Sequence, residues 1–319
     1  MSETVKQKRV IYMGTPDFAV PALEALVRDG WNVVLVVSQP DRPVGRKQVL
    51  KPTDVKACAQ KYDLPVYQPE HIRSDEAFRH LAEYRPDVIV TAAYGQIIDK
   101  RLLELPTYGC YNLHASLLPR FRGSSPIQAA IMAGDQETGV TLMKMDEGCD
   151  TGDIVAQKRM PINDHITGGE LFDSLAEMSA DLILEVLPLI LIGGTCPVSQ
   201  DDNRACKAPK LARSDGKIDW TKSAEEIHNL IRALDPWPGA YTYYDGKRIK
   251  IKESAVVDGE VSSASPGEIV HNVDKLTVAT GEGLIDLLQI HPASGRCMPT
   301  CECCHNYPIG SNFQNDDGR

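Results

Sequence analysis

Long apolar runs and an excess of positive charge are both missing from this chain of 319 residues. The most apolar later stretch, residues 182–192, contains Glu185 and Pro188 and is far too short to span a bilayer. The apolar run that ends before Gly14 is likewise too short for the core of a signal peptide. We therefore expect a cytoplasmic protein that has no membrane partner.

Cysteine usage and net charge narrow the class further. Nine cysteines is an odd number, and cytoplasmic thiols stay reduced, so we expect no disulfides. The formal net charge of -10 argues against a protein that coats nucleic acid with its whole surface. A local basic patch can still occur on an acidic body. Hydrophobic residues make up 42% and charged residues 24% of the chain, as in ordinary globular proteins.

Apolar segments alternate with helical segments in the first part of the chain. Residues 9–13, 32–38 and 87–92 have the composition of buried strands, and helical segments separate them. This alternation indicates βαβ units, with right-handed crossovers that place helices on both faces. The sequence therefore predicts an α/β domain with a Rossmann-like, mostly parallel sheet.

The character of the chain changes after about residue 212. Residues 193–212 carry Gly, Pro, Asp and Lys without a period, which predicts a linker between two domains. Short strands follow, and Asp245-Gly246 is a strong hairpin signal. We predict one domain at 1–192 and a second domain, a small, OB-like β-barrel, at 213–319.

Two polar side chains share one face of the predicted strand Cys110–His114. Because side chains alternate along a strand, Asn112 and His114 point the same way, about 7 Å apart. One interpretation is a satisfied polar network in the core. The other is a catalytic pair at the carboxyl end of a parallel strand, where open α/β sheets place their sites. The residues alone leave both open.

An acidic, glycine-rich loop follows at residues 146–153, with the sequence DEGCDTGD. Its Asp150 could reach His114 in the fold, where a carboxylate would fix the tautomer and assist proton transfer. An amide, an imidazole and a carboxylate together suit the stabilisation of an oxyanion while a proton moves, as in acyl transfer. Calcium is not expected, because the acidic groups and the glycine miss the EF-hand positions.

Two motifs together resemble the formyltransferase family that uses 10-formyltetrahydrofolate. They are NLHASLLPRFRGSSP at residues 112–126 and DEGCDTGD at residues 146–153. The runs VIYMGTPDFA, QPDRPVGR and AAYGQII resemble the members of that family that act on tRNA. The resemblance extends from about Arg9 to about Ile290.

The resemblance implies an enzyme that moves a formyl group from 10-formyltetrahydrofolate to the α-amino group of methionyl initiator tRNA, for translation initiation. It implies that Asn112 and His114 donate hydrogen bonds to the oxyanion and that Asp150 holds His114 and relays the amine proton. It also implies that the domain at 1–192 is catalytic and that the barrel at 213–319 binds tRNA. We expect a monomer without a metal. The alternatives are the same chemistry on another amine, such as an amino-sugar nucleotide, and a nucleic-acid-binding protein that has lost activity.

The folate pocket is predicted at the loop after the central strand and at the end of a neighbouring strand. Its residues are Ser116, Leu117, Leu118, Pro119, Tyr94 and Gly95. Apolar side chains there suit the pterin, and backbone groups suit its polar edge. Arg120 and Arg122 would guide a phosphate or the glutamate tail of the folate.

Basic residues in two regions are predicted to contact the tRNA. They are Arg42, Arg46, Lys47, Arg248 and Lys250. Prolines and a glycine make residues 39–51 irregular, which fits either a solvated loop or an arm that orders on nucleic acid. The resemblance implies that this loop enters the acceptor stem. The basic face of KRIKIK could follow a phosphate backbone, or it could protect a sheet edge.

The carboxy-terminal segment is rich in cysteine. It holds Cys297, Cys301, Cys303, Cys304 and His305. Cys301 and Cys304 have the spacing of a zinc pair, but no second pair lies at a suitable distance. We therefore expect a divergent terminal helix here, and the sequence assigns no role to these cysteines.

Overall fold

The computed structural model describes residues 3–44, 49–257, 264–293 and 295–314. Its helices are α1 Glu3–Lys6, α2 Val20–Arg28, α3 Asp54–Lys61, α4 Asp75–Glu83, α5 Lys100–Leu103, α6 Pro126–Met132, α7 Gly168–Leu191 and α8 Ala224–Ala233. Its strands are β1 Val10–Gly14, β2 Val33–Val37, β3 Arg42–Val44, β4 Val49–Lys51, β5 Val66–Tyr67, β6 Val88–Ala92, β7 Cys110–His114, β8 Arg122–Gly123, β9 Glu137–Lys144, β10 Ile154–Pro161, β11 Lys207–Ala208, β12 Ala240–Tyr244, β13 Lys247–Val257, β14 Ile269–His271, β15 Leu276–Ala279, β16 Leu284–His291 and β17 Met298–Pro299.

Two compact units make up the chain. The first comprises Met1–Pro126, Thr138–Met160 and Phe172–Ala208. The second comprises Ile127–Glu137, Pro161–Leu171 and Pro209–Arg319. The predicted linker at 193–212 is divided between them, because its residues up to Ala208 group with the first unit. The predicted domain boundaries therefore stay a prediction.

A seven-stranded sheet organises the first unit, in the order β10-β9-β7-β6-β1-β2-β5. Strand β1 is parallel to β2 and β6, and β6 is parallel to β7, whereas β9 runs antiparallel to β7. Every residue of β1 and β6 is buried, which requires cover on both faces of the sheet. The predicted Rossmann-like, mostly parallel sheet is confirmed.

Local capping explains where two helices of this unit begin. The Thr53 hydroxyl accepts a hydrogen bond from the backbone N–H of Lys56, at the start of α3. The Ser74 hydroxyl accepts one from Ala77 N–H, at the start of α4. Such caps satisfy backbone donors that have no partner within the helix, so the two helices enter the fold at defined residues.

The basic loop at residues 39–51 is more regular than predicted. Strands β3 and β4 pair as an antiparallel hairpin that aligns Arg42 with Lys51 and Pro43 with Leu50. The expectation of irregular structure was wrong, because a proline is tolerated in a strand that has a free edge. Arg46 and Lys47 lie outside the described residues.

The second unit contains an antiparallel sheet in the order β12-β13-β16-β15-β14, with β17 paired to β16. Asp245 and Gly246 have φ values of 48° and 66° and form the two-residue turn between β12 and β13, as their sequence predicted. Helix α8 packs its Ile227 and Ile231 into the core of this unit. The predicted barrel-type second domain is confirmed at the level of fold class.

The cysteine-rich segment does not form the expected terminal helix. It makes short 3-10 turns at Thr300–Glu302 and Cys304–Asn306. Cys303 and Cys304 are buried in the core of the second unit, so core packing here overrides helical propensity. Within the described ranges, no group of three His, Cys, Asp or Glu side chains could hold a metal ion, and no helix is long and apolar enough to cross a membrane.

Candidate active site

The amide of Asn112 is oriented by a neighbouring strand. Thr91 on β6 lies opposite Asn112 on β7, and its buried hydroxyl donates a hydrogen bond of 2.7 Å to Asn112 Oδ1. In this arrangement the amide oxygen of Asn112 faces Thr91. The Nδ2 group of the half-buried Asn112 is therefore directed away from Thr91.

The imidazole of His114 is buried, with 6% of its surface exposed. Its Nε2 lies 2.9 Å from the backbone oxygen of Phe121, and because a carbonyl only accepts, Nε2 carries a proton and donates it. Its Nδ1 lies 3.6 Å from Asp150 Oδ1. The Nδ1 atom thus faces the carboxylate at a distance longer than a good hydrogen bond.

Asp150 is held by the backbone of the motif at residues 112–126, which we call the central motif. Its Oδ2 accepts a hydrogen bond of 2.8 Å from Gly123 N–H, and its own φ is 55°, a conformation that asparagine and aspartate tolerate better than most residues. The structure therefore brings His114 and Asp150 together, as the sequence analysis expected. Their catalytic roles remain a prediction.

Cys149 lies beside this pair but is poorly suited to act as a nucleophile. Burial, and to a lesser extent the charge of Asp150, raise the pKa of its thiol. A thiol is reactive as the thiolate, so this one stays largely protonated at neutral pH. The site contains acid–base and hydrogen-bonding groups rather than an activated thiol.

The predicted folate loop is anchored by β9 and β10. Thr141 Oγ1 donates to the backbone oxygen of Ser116 at 2.6 Å and accepts from Leu118 N–H at 3.1 Å. Gln157 Nε2 donates to the Leu118 oxygen at 2.9 Å. Ser116 and Leu118 are buried, whereas Leu117 and Pro119 are half-buried. The latter two are the members of the loop best placed to meet a ligand.

Tyr94 and Gly95 differ in their surroundings. The ring of Tyr94 is 4% exposed and belongs to a core cluster, and burial raises the pKa of its hydroxyl. Gly95 is exposed, with a φ of 89°. A side chain at that glycine would be strained, and a ligand can approach its backbone closely. Gly95 fits the predicted lining better than the ring of Tyr94 does.

Three of the basic residues predicted to contact tRNA lie within the described part of the chain. Arg42 is exposed. In the second unit, the Arg248 guanidinium lies 3.5 Å from the centre of the Tyr241 ring, and its buried Nε has no hydrogen-bond partner in the described part of the chain. Lys250 is exposed on the same strand. A groove of about 280 Å³ is lined by Arg248, Lys250, His291, Pro292 and Ala293.

Several residues that shape the site escaped the sequence analysis. Thr91 orients Asn112, while Thr141 and Gln157 hold the loop after His114. Their positions on neighbouring strands are set by the sheet order, which the sequence does not state. A hydroxyl or amide within an apolar strand was the one signal available, and such groups are often solvated or paired in the core.

Comparisons with known proteins give a consistent result. Residues 8–187 match the family described as formyl transferase, and residues 210–308 match the formyl transferase C-terminal domain. The chain is 45% identical over 296 residues to the methionyl-tRNA formyltransferase of Bacillus cytotoxicus, covering 92% of this chain and 94% of that protein.

Further relatives agree. The methionyl-tRNA formyltransferase of Geobacillus thermodenitrificans is 47% identical, with 92% of each chain covered. Among solved structures, a sugar 3N-formyl transferase crystallised with dTDP and 5-N-formyl-THF is similar, with a TM-score of 0.68 and 19% identity. That match covers 91% of this chain and 98% of the other and shows a shared fold.

Proposed function

The chain belongs to the formyl transferase family, and we propose that it transfers a formyl group from 10-formyltetrahydrofolate to the α-amino group of methionyl initiator tRNA. The observation that carries this proposal is the 45% identity to a methionyl-tRNA formyltransferase over 92% of the chain. Both family regions are present in one chain. The paired side chains of His114 and Asp150 supply groups that suit this chemistry.

We assign the catalytic roles to Asn112, His114 and Asp150. The free amine attacks the formyl carbon, a new C–N bond forms, and the bond from that carbon to N10 of the folate breaks. Asn112 Nδ2 and, when the imidazole carries a proton on both nitrogens, His114 Nδ1 are the donors available to the oxyanion, because Thr91 and Phe121 occupy the other polar end of each side chain. Such donors act where charge develops.

Proton movement is the second task of the site. The amine loses a proton as the new bond forms, and N10 of the leaving folate gains one. Asp150 is the group proposed to pass this proton, because its Oδ1 is 3.6 Å from His114 Nδ1 while its Oδ2 stays anchored to Gly123 N–H. A carboxylate with one anchored oxygen keeps the other in a fixed place for proton transfer.

The folate contacts are proposed at the loop after β7 and at the end of β6. Leu117, Pro119 and the backbone of Gly95 are accessible enough to line a pocket. Ser116 and Leu118 act by shaping the loop, since Thr141 and Gln157 already bind their backbone groups. A mostly apolar lining with a few fixed polar groups is typical of cofactor pockets.

The tRNA contacts are proposed at two basic places. Arg42 on the hairpin of the first unit is exposed. Arg248 and Lys250 in the second unit line one groove, and lysine and arginine bind phosphates largely without regard to base sequence. We propose that the chain acts as a monomer in the cytoplasm, where aminoacylated initiator tRNA is used.

Acceptor choice tests this function directly. The purified protein is given 10-formyltetrahydrofolate carrying a labelled formyl group, together with methionyl initiator tRNA, methionyl elongator tRNA or an amino-sugar nucleotide. We expect label on the initiator tRNA and little on the other two. Transfer to the amino sugar without transfer to tRNA would replace the proposal with sugar formylation.

A further inference from the structure

Residues 199–208, which we call the strap, lie across the loops of the candidate active site. We propose that the strap, through Gln200, is a positioning device that holds Asp150 and His114 in register for formyl transfer. This inference rests on the proposed function. The family models match residues 8–187 and 210–308, so the strap belongs to neither matched region.

Gln200 holds the loop that carries Asp150. Its Nε2 donates to the backbone oxygen of Asp150 at 2.9 Å and to that of Gly152 at 2.7 Å. Ser199 Oγ adds a bond of 2.9 Å to Asp153 Oδ1. One side chain thus closes the turn on both sides of Thr151 and restricts where the Asp150 carboxylate can point.

The other end of the strap binds residues 121–123, the segment that contacts both His114 and Asp150. Strand β11 in the strap pairs in parallel with β8, aligning Lys207 with Arg122 and Ala208 with Gly123. The backbone N–H of Arg122 donates to the Cys206 oxygen at 2.9 Å, and Phe121 N–H lies 3.2 Å from Cys206 Sγ.

That paired segment makes the fixed contacts of the catalytic side chains. Phe121 supplies the oxygen that binds His114 Nε2, and Gly123 supplies the N–H that binds Asp150 Oδ2. A shift of this segment would therefore move the imidazole and the carboxylate together. A misplacement of about 1 Å can cost on the order of 100-fold in rate.

Arg122 joins the two halves of this arrangement. Its Nε donates to Gln200 Oε1 at 3.0 Å, and its Nη2 pairs with Asp202 Oδ1 at 2.8 Å. The amide of Gln200 therefore links the acidic loop, through Nε2, to the central motif, through Oε1. Because both ends of one amide are used, hydrophobic replacement removes both links without introducing a charge.

The strap also approaches the central motif closely. A Cβ atom on Gly123 would lie 2.5 Å from the Ala208 oxygen, and the φ of Gly123 is 124°. A methyl group there forces the two segments apart. Gly123→Ala would thus displace the strap while leaving Gln200 intact, and it would also shift the N–H that anchors Asp150 Oδ2.

The test compares Gln200→Leu with Gln136→Leu, an exposed glutamine of the second unit whose side-chain amide donates to the Gly134 oxygen at 3.4 Å. Initial rates of formyl transfer to methionyl initiator tRNA are measured with the full-length proteins. We expect kcat to fall about 10-fold to 100-fold for Gln200→Leu, with KM for both substrates changed less than about twofold. Gln136→Leu should behave as wild type. Gly123→Ala should lower kcat in the same way.

A double-mutant cycle separates positioning from general support of the fold. In an Asp150→Asn background, Gln200→Leu should lower kcat by a smaller factor than in the wild type, because the part of its effect that acts through the carboxylate is already removed. Equal fold losses in both backgrounds, or an unchanged kcat in Gln200→Leu, would overturn the proposal. An inactive wild-type protein would instead refute the proposed function, so the two failures are distinguishable.

Discussion

Thr91 and Asn112 illustrate how one hydroxyl can set the direction of a donor. An asparagine side chain offers an oxygen at one end and an N–H₂ group at the other, and either can face a ligand. The Thr91 hydroxyl, 2.7 Å from Asn112 Oδ1, binds the amide with Nδ2 turned away from it, and we propose that this Nδ2 donates to the substrate. Thr91 itself is 2% exposed, so it orients Asn112 from within the core and does not contact a ligand itself.

Replacement of Thr91 by valine tests this orientation at the scale of a single atom. We expect Thr91→Val to lower kcat about 3-fold to 10-fold, since one hydrogen bond is worth about 0.5–1.5 kcal/mol. KM for the folate should stay unchanged. Thr91→Ser keeps the hydroxyl and serves as the control. Wild-type kcat in the valine variant would show that Asn112 does not depend on this bond.

At the scale of elements, the loop after β7 depends on strands that come later in the chain. The hydroxyl of Thr141 on β9 donates to the Ser116 oxygen and accepts hydrogen bonds from Leu118 N–H and Gln157 Nε2. These contacts give a loop without regular structure a defined shape. The folate site proposed there is therefore built by β9 and β10 as much as by the motif itself.

The variant Thr141→Val should loosen that loop. Valine has a similar shape but leaves buried backbone groups of Ser116 and Leu118 without partners, at a cost of about 1–3 kcal/mol. We expect weaker folate binding and a lower midpoint in urea unfolding. Binding calorimetry and denaturation measure the two effects. Thr138→Val, at another buried threonine of β9, is the control, and equal folate binding by both variants would contradict this role.

Helix α8 of the second unit begins with a reciprocal cap. Ser223 Oγ accepts from Glu226 N–H at 3.1 Å, and Glu226 Oε2 accepts from Ser223 N–H at 3.0 Å. The backbone N–H of Ser223, and then Lys222, lower the pKa of Glu226 below 4.5. Because the folded pKa is depressed, this stabilisation is present above the ordinary carboxyl pKa and is lost as pH falls through the folded value.

A comparison of Glu226→Gln with wild type at two pH values checks this cap. We expect the variant to be less stable at about pH 7, because it lacks the charged acceptor, and we expect the difference to shrink as pH falls below the ordinary carboxyl pKa and the carboxylate gains its proton. Urea unfolding gives both differences. A stability difference that persists unchanged at the acidic pH would rule out the charge as its cause.

The sequence was most informative where chemistry and periodicity coincide. Alternation in CYNLH predicted β7 and placed Asn112 and His114 on one face. It was least informative for contacts between distant segments. Gln200 follows Asp150 by 50 residues, and the segment around Gln200 has the composition of a linker. Residues 39–51 were mispredicted because proline suggested irregularity where a free-edged hairpin forms.

At the scale of the whole molecule, an acidic chain is proposed to bind RNA through local basic sites. The net charge is -10, so general attraction to phosphate is weak, and position decides which charges act. Arg248 and Lys250 line a groove with His291. A groove of this kind can hold a phosphate without base readout.

Substitution of Lys250 by glutamine tests that site through its salt dependence. We expect Lys250→Gln to weaken binding of methionyl initiator tRNA and to reduce the slope of log K against log salt by about one. Folate binding should not change. Lys222→Gln, which removes an exposed lysine of the same unit, is the control. An identical slope in both variants would exclude Lys250 from the contact.

The central claim is that the His114–Asp150 pair performs the transfer, and a single-turnover rate measures it most directly. Saturating 10-formyltetrahydrofolate and methionyl initiator tRNA are mixed with excess wild type, Asp150→Asn or His114→Ala. Removal of such a group typically costs about 100-fold to 1,000-fold, so the account predicts that loss in each variant with folate affinity retained. Transfer at the wild-type rate in either variant would contradict it.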